Sequence, residues 1–313
     1  MTTHASALLF PGQGSQEPGM GRDLAEAHND IMELWKKAER ISGLPLREIY
    51  WEGDAENMAD TRSLQPGLTV TNLALWIRLS EKLKPSCAAG HSLGEYSAFA
   101  AAGALPADKV LELVSLRGRL MADADPDGKG AMAALLKLTR EEAEAAVAEA
   151  RDACGEMLLI ANYNTPAQFV ASGTKAAIAA VQDAARARKG RAMPLPVSGA
   201  FHSPLMEEAA QELAVALKKA PWSKARFPVF CNVTGKAATE AEELQTLAIR
   251  QMTSSVLWTD TIVGQYAAGA RRFVECGPKN VLGRMVAPIL GENAEGTEVV
   301  SVNSMEALEA FKG

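Results

Sequence analysis

The chain of 313 residues is poor in the residues that staple small secreted or metal-bound folds. Its four cysteines, Cys87, Cys154, Cys231 and Cys276, lie far apart and form no CxxC pair. That spacing argues against a zinc knuckle or a disulfide frame, and for reduced thiols in a cytoplasmic protein. Positive charge is also in deficit. The formal net charge is -6, so no global basic field is available to hold nucleic acid or an anionic membrane. No stretch approaches the roughly 20 apolar residues that cross a bilayer. The opening MTTHASALLFPGQG lacks the basic and long apolar regions of a signal peptide. Internal repeats and low-complexity tails are missing too.

A phosphate loop is a further absence. The run Pro11-Gly12-Gln13-Gly14-Ser15-Gln16 follows a short apolar strand, but G-x-G-x-x-G would need glycine where Glu17 stands, and no G-K-[ST] follows. Such a loop has another use, close backbone approach. Gln13 could offer an N–H to an oxyanion, with Leu93 as the second donor. An ordinary strand-to-helix turn is the alternative.

What the chain does have is size and alternation. It is 48% hydrophobic and 22% charged, enough for one large domain or two unequal ones. Short apolar strands alternate with long helical patterns, which reads as α/β. Strands are expected at Ala7–Phe10, Pro85–Gly90, Pro228–Asn232, Arg272–Glu275 and Glu298–Val302. Helices are expected at 22–42, 68–83, from near Leu93, at Ala107–Ala124 and at Pro204–Lys219, with more up to Ala268 and one after Gly277. Between them the order changes to β-α-β-β-α-β: strands at Ala131–Leu138, Met157–Asn162, Gln168–Ser172 and Arg191–Val197, and helices at Thr139–Arg151 and Thr174–Arg188. Thr139 and Glu142 form a capping-box pattern at the first of those helices. The order is the signature of a ferredoxin-like unit. We therefore expect a large α/β-hydrolase-like domain with a parallel-sheet core, residues 1–127 and 199–313, with a small ferredoxin-like domain, 128–198, inserted into it.

Gly90-His91-Ser92-Leu93-Gly94 fits G-x-S-x-G between a strand and a helix. A serine on such a sharp turn has its hydroxyl exposed, and the first free amides of the helix face the place where negative charge develops. A glycine-rich helix start with a serine cap is the competing reading. A serine nucleophile needs a base, and the chain has only four histidines. His4 is near the terminus, His28 lies in the charged helical run AEAHND, and His91 must diverge from its neighbour at the turn. Elimination leaves His202, in GAFHSPLM, against the alternative that it merely caps a helix. No acidic residue stands out as a third triad member, and a backbone carbonyl could orient the imidazole instead.

In the helix ADKVLELVSLRGRLMADA, Val110, Leu113, Val114, Leu120 and Met121 fall on one face. Arg117 falls in the middle of that face, and Arg119 on the opposite side. A guanidinium on a buried stripe needs an anion, whether an internal Asp or Glu or a substrate carboxylate. The second reading favours an acyl group that carries its own carboxylate.

Together the stretches FPGQGSQ, GHSLGEYSA, NYNTPAQFVASG, GAFHSPLM, CNVTG, IRQMTSSVLW and ECGPKNVL resemble the malonyl-CoA:acyl carrier protein transacylases of fatty-acid synthesis and the related acyltransferase domains of polyketide synthases. The resemblance runs along nearly the whole chain. It implies that Ser92 is acylated, His202 is the base, Arg117 binds the malonyl carboxylate, and the amides of Gln13 and Leu93 form the oxyanion hole. It also implies that the Gln251 carbonyl orients His202, that Asn162 lies near the cleft, and that the bulk of Phe201 crowds an α-methyl group. In that family the position of Ser255 is often proline and that of Leu257 often polar. The substrates would be malonyl-CoA and an acidic, phosphopantetheinyl acyl carrier protein, with no metal and no bound cofactor, in ping-pong transfer by a cytoplasmic monomer. Two basic clusters offer docking surfaces: Arg186, Arg188, Lys189 and Arg191, and Lys218, Lys219, Lys224 and Arg226. A serine esterase or thioesterase is the first rival and requires a buried acidic partner for His202. A non-catalytic carrier-binding module is the second.

Overall fold

A computed structural model describes residues 5–53, 57–197 and 199–312, so His4 lies outside the described residues. The strands are β1 (Ala5–Phe10), β2 (Cys87–Gly90), β3 (Gly130–Leu136), β4 (Leu158–Thr165) and β5 (Gln168–Thr174). They continue as β6 (Arg191–Pro194), β7 (Val229–Cys231), β8 (Lys236–Ala238), β9 (Ala270–Cys276) and β10 (Glu298–Val302). One sheet has the order β10-β9-β1-β2-β7-β8 and the other β4-β5-β3-β6. The first is parallel except at its β8 edge, and the second is antiparallel throughout. The fold is therefore α/β, with a mixed six-stranded sheet and a second, antiparallel sheet. The short β8 was not legible in the sequence because three residues, KAA, carry no apolar alternation.

β1 is buried along nearly its whole length, which is why it reads as a continuous apolar run. Its alternate residues feed two cores. Leu8 and Phe10 join the larger core on one face, while Ala7 and Leu9 join Trp258, Ile262 and Phe273 on the other.

The expected single helix over 22–42 is two, α1 (Arg22–Ala27) and α2 (Asn29–Ser42). His28 at the break is extended, with φ -135° and ψ 116°, and its carbonyl begins the second helix at Ile31 and Met32. The next helix, α3 (Thr61–Leu79), starts earlier than its apolar pattern, because the Asp60 side chain caps the Arg62 amide. Then come α4 (Gly94–Ala101) and α5 (Ala107–Asp123). α6 (Arg140–Cys154), with the Thr139–Glu142 capping box in place, and α7 (Lys175–Ala187) cover one face of the small sheet, around Leu135, Ile160 and Phe169. α8 (Glu207–Lys219), α9 (Ala241–Arg250), α10 (Trp258–Ala267), α11 (Gly283–Leu290) and α12 (Met305–Ala310) complete the chain. The expected strand over Arg191–Val197 stops at Pro194, although the Leu195 amide still reaches Met132 O at 2.9 Å.

The small sheet is stitched to the large unit along β4. Tyr163 N–H donates to Val256 O at 2.9 Å, and Val256 N–H to Ala161 O at 2.8 Å. Ser255, where the resembled family often has proline, donates its hydroxyl to Ile160 O at 2.7 Å. Those bonds fix the segment just after residues 251–254.

The turn after β2 is packed backbone to backbone. A Cβ on Gly94 would lie 2.1 Å from Phe10 O, and one on Gly90 2.0 Å from the Gly94 carbonyl. No side chain can shift to relieve either clash. Gly94→Ala should therefore lose about 1–3 kcal/mol or more of stability, the range for overpacking a close contact. Urea unfolding checks this, and an unchanged midpoint would show that the turn has slack.

Candidate active site

Three neighbouring parallel strands, β1, β2 and β7, end on one crevice and lead into Gln13, Ser92 and Asn232. The carboxyl ends of parallel strands suit chemistry because loop amides and helix N-termini converge there. Ser92 has φ 50° and His202 φ 56°. A left-handed backbone at a non-glycine residue costs roughly 1–3 kcal/mol and persists only where the surroundings enforce it.

The surroundings of Ser92 do enforce it. His91 N–H donates to Phe10 O at 3.0 Å, Ser92 N–H to Asn232 Oδ1 at 2.7 Å, and Gly94 N–H to His91 O at 2.9 Å. Of these consecutive amides, that of Leu93 has no partner among the described residues. In the facing loop, Gly14 N–H goes to Gln16 Oε1 at 2.8 Å and Ser15 N–H to Gly12 O at 3.3 Å. The Gln13 amide is left over in the same way. Gln13 and Leu93 both line the cleft beside Ser92.

Ser92 Oγ is 2.7 Å from His202 Nε2. His202 Nδ1 lies 3.1 Å from the carbonyl oxygens of both Gln251 and Ser254. Carbonyls only accept, so Nδ1 carries the proton, and the Nε2 lone pair faces the serine hydroxyl. Among the described residues no carboxylate takes the place of these acceptors, whereas the esterase reading requires one. Burial, and after it the charge on Arg117, lowers the His202 pKa to about 3, against the opposing pull of the two carbonyls. The imidazole is thus held neutral, with the Nε2 lone pair free to accept the serine proton.

Arg117 is only 1% exposed. It finds neutral acceptors: Nη1 donates to Gln65 Oε1 at 2.9 Å, and Nη2 to Gln251 Oε1 and Ser92 Oγ, each at 3.2 Å. The internal ion pair weighed from the sequence is not formed among the described residues, and Nε has no hydrogen-bond partner there. Burial lowers its pKa, while Tyr96 and Glu95 oppose that shift. Arg119 points outward, 3.6 Å from Glu212.

The cleft over Ser92 holds about 110 Å³ and is lined in part by Arg117, Asn162, Phe201 and His202. That is small beside the ~300–1,000 Å³ of ordinary ligand pockets. A wider hollow of about 660 Å³ beside Lys36 and Arg47 is a shallow surface groove that none of these residues lines. His91 turns away, as expected, to Asn164 Oδ1 at 2.8 Å and edge-on to Trp258. His28, half-buried at its helix break, takes no part.

Sequence reasoning missed four contributors: Gln65, Glu95, Asn232 and the Ser254 carbonyl. Glu95 alone left a signal, a carboxylate inside the small apolar run EYSAFAA. Asn232 and Gln65 look like any polar residue, and a backbone carbonyl has no sequence signal at all.

Comparison with known proteins places the chain in a family. The acyl transferase domain family matches residues 7–307. The malonyl CoA-acyl carrier protein transacylase of Haemophilus influenzae is 39% identical over 97% of this chain and 98% of its own length. That of Bacillus subtilis is 38% identical over 90% of each. Among solved structures, an acyl carrier protein S-malonyltransferase from Vibrio cholerae superposes with TM-score 0.91 and 36% identity, covering 98% of this chain and 99% of that one. A type II PKS acyl-carrier protein in complex with its malonyl-transacylase matches with TM-score 0.91 and 35% identity, covering 98% of both chains.

The histidine supplies a direct test. The His202 ring nitrogens should show the neutral, Nδ1-protonated form by NMR at about pH 5, well below the ordinary imidazole value of about 6.5. A transition near that ordinary value would contradict the buried, carbonyl-held geometry. The sign for stability follows: the unfolded chain binds this proton first, so the neutral histidine costs folding stability as pH falls below about 6.5.

Proposed function

The chain belongs to the acyl transferase family, and from that premise we propose that it moves a malonyl group from malonyl-CoA to the phosphopantetheine thiol of an acyl carrier protein, supplying fatty-acid synthesis. The observation that carries the specificity is the buried Arg117 guanidinium, 3.2 Å from Ser92 Oγ and without a carboxylate of its own among the described residues. An acyl chain ending in a free carboxylate supplies the missing anion, through the bidentate geometry that guanidinium favours.

The reaction takes two transfers. Ser92 Oγ attacks the thioester carbonyl as its proton passes to His202 Nε2. The resulting oxyanion meets the Gln13 and Leu93 amides, each such donor being worth about 100- to 1,000-fold in rate. Collapse breaks the C–S bond, and the coenzyme A sulfur leaves with the proton from His202. In the second transfer the carrier thiol gives its proton to His202 and its sulfur attacks the malonyl-Ser92 ester. Ser92 then departs and recovers the proton. General-base help at each stage is worth about 100- to 10,000-fold. The Gln251 and Ser254 carbonyls hold the imidazole throughout. Phe201, 5% exposed on the cleft wall, crowds an α-methyl branch, and Asn162 borders the acyl group. We assign no metal and no bound cofactor to the reaction.

We read the large unit, 1–127 and 199–313, as α/β-hydrolase-like and 128–198 as a ferredoxin-like insertion. The β-α-β-β-α-β order and the 4-stranded antiparallel sheet support that reading. We take the enzyme to be a cytoplasmic monomer; no helix among the described residues is long and apolar enough to cross a membrane. Of the two basic clusters, Lys224 is paired with Glu240 and Arg226 is bonded to Ala101 O. Arg186 and Arg188 have acidic partners as well. Arg191 is exposed at the start of β6, whose chain continues to Leu195 and Val197 on the cleft wall. The carrier is therefore expected at the first cluster, and Arg191→Glu should raise its KM while sparing acylation by malonyl-CoA. Unchanged transfer would reject that surface.

Intact mass after mixing with malonyl-CoA or acetyl-CoA tests the reading. One malonyl adduct is expected, absent in Ser92→Ala. Arg117→Ala should lower malonyl loading by about 10- to 100-fold, the value of one or two hydrogen bonds to a charged group, and abolish the preference over acetyl. Equal loading of both groups by the unmutated protein would sink the arginine argument. Turnover of simple esters by water alone would favour the esterase.

A further inference from the structure

Beneath the nucleophile lies a carboxyl group that the reaction above does not use. Glu95, in the first turn of α4, is 0% exposed. Its Oε1 receives the Asn232 backbone N–H at 2.6 Å, and its Oε2 receives Gln251 Nε2 at 2.5 Å. Both partners are donors, and no acceptor faces either oxygen among the described residues, so the arrangement is built for the ionised form. Burial outweighs these two hydrogen bonds and the charge on Arg117, so the group is pushed up to about 7.

The consequence lies one residue further on. A carboxamide has a donor end and an acceptor end, and Gln251 uses both. Its Nε2 donates to Glu95 and, at 2.9 Å, to Ser92 O; its Oε1 accepts from Arg117 Nη2 at 3.2 Å. Glu95 can satisfy only the donor end. With the Ser92 carbonyl, it therefore sets which end of Gln251 the arginine meets. Asn232 closes the circuit: it hands its backbone N–H to Glu95, accepts from Ser92 N–H, and donates Nδ2 to Gly90 O at 2.7 Å.

We propose that Glu95 is a positioning residue for the acyl carboxylate: by fixing the orientation of Gln251 it holds Arg117 at the mouth of the serine, although it touches no substrate itself. This rests on the malonyl-transfer reading and adds to it a residue that acts through two others. A glutamine at position 95 could keep the Asn232 bond, but its amide nitrogen would then face Gln251. Two donors would then face each other, and turning Gln251 relieves that only by bringing a donor against the guanidinium and removing one of its three acceptors.

The test uses Glu95→Gln in the full-length protein and two readouts. Malonyl loading from malonyl-CoA needs Arg117. Labelling of Ser92 by an uncharged fluorophosphonate needs only Ser92, His202 and the oxyanion amides. Malonyl loading should fall about 10-fold or more, in line with a lost hydrogen bond to a charged group, while labelling stays within about threefold of the unmutated protein. Equal falls in both would assign Glu95 to the stability of the turn, and no fall in either, or faster malonyl loading, would assign it no role; each overturns the proposal. Should Glu95→Gln fail to fold, Glu95→Asp keeps the negative charge beneath the turn but withdraws it from Gln251. It must show the same split, and a parallel loss there would equally overturn the idea. Fluorophosphonate labelling without any malonyl loading in the unmutated protein is a separate result, and would overturn the transfer reading itself.

Discussion

A permanently charged guanidinium, buried to 1% exposure and in contact with no carboxylate among the described residues, is the constraint around which the rest of this site is arranged. Burying an unpaired charge is expensive unless dipoles take the place of water. Arg117 meets that cost with the side-chain oxygens of Gln65 and Gln251 and with the Ser92 hydroxyl, all uncharged. Neutral acceptors hold the arginine in place without cancelling its charge. The field remains directed at the nucleophile, where an incoming anion completes it. An Asp or Glu in the same place would make a more stable pair and leave nothing for a substrate to neutralise.

The same charge shapes the base. It stands close enough to His202 to disfavour a second positive charge, and burial acts in the same direction. An aspartate behind the imidazole, as in a Ser-His-Asp triad, would oppose that shift. Here two backbone carbonyls do the orienting, which fixes the tautomer without a full negative charge behind the ring. Backbone acceptors are only as well placed as their segment. Residues 251–254 are followed at once by the stretch that pairs with β4, through Val256 and the Ser255 hydroxyl. The small sheet thus borders the cleft and also steadies the acceptors that hold His202.

Ser92 and His202 both sit on left-handed backbone, and the structure shows what holds Ser92 there. Around Ser92 the amides of His91, Ser92 and Gly94 are occupied, which singles out that of Leu93 as available for an oxyanion. The strain and the vacancy share one origin. A turn sharp enough to expose the serine also interrupts the hydrogen-bond ladder at the residue that follows.

The sequence by itself determined the local chemistry. Gly90 and Gly94 announce a turn that no side chain could enter, Arg117 stands out because it breaks an apolar stripe, and His202 remains when three other histidines are set aside. Most strands and helices were legible for the same reason, since their periodicity is written in consecutive residues. The losses were local ones: the break at His28, where conformation overrides a continuous pattern; the three residues of β8; and the end of β6. Only the tertiary structure could decide who satisfies whom. Whether Arg117 meets a carboxylate or amides, whether His202 leans on an acid or on carbonyls, and that Glu95, Asn232 and Gln251 form one circuit beneath Ser92 all depend on contacts between residues 49 to 156 positions apart. A backbone carbonyl is identical at every position of a sequence, and a buried amide has no periodicity. Their roles exist only once three strand ends and a distant loop have been brought to the same crevice.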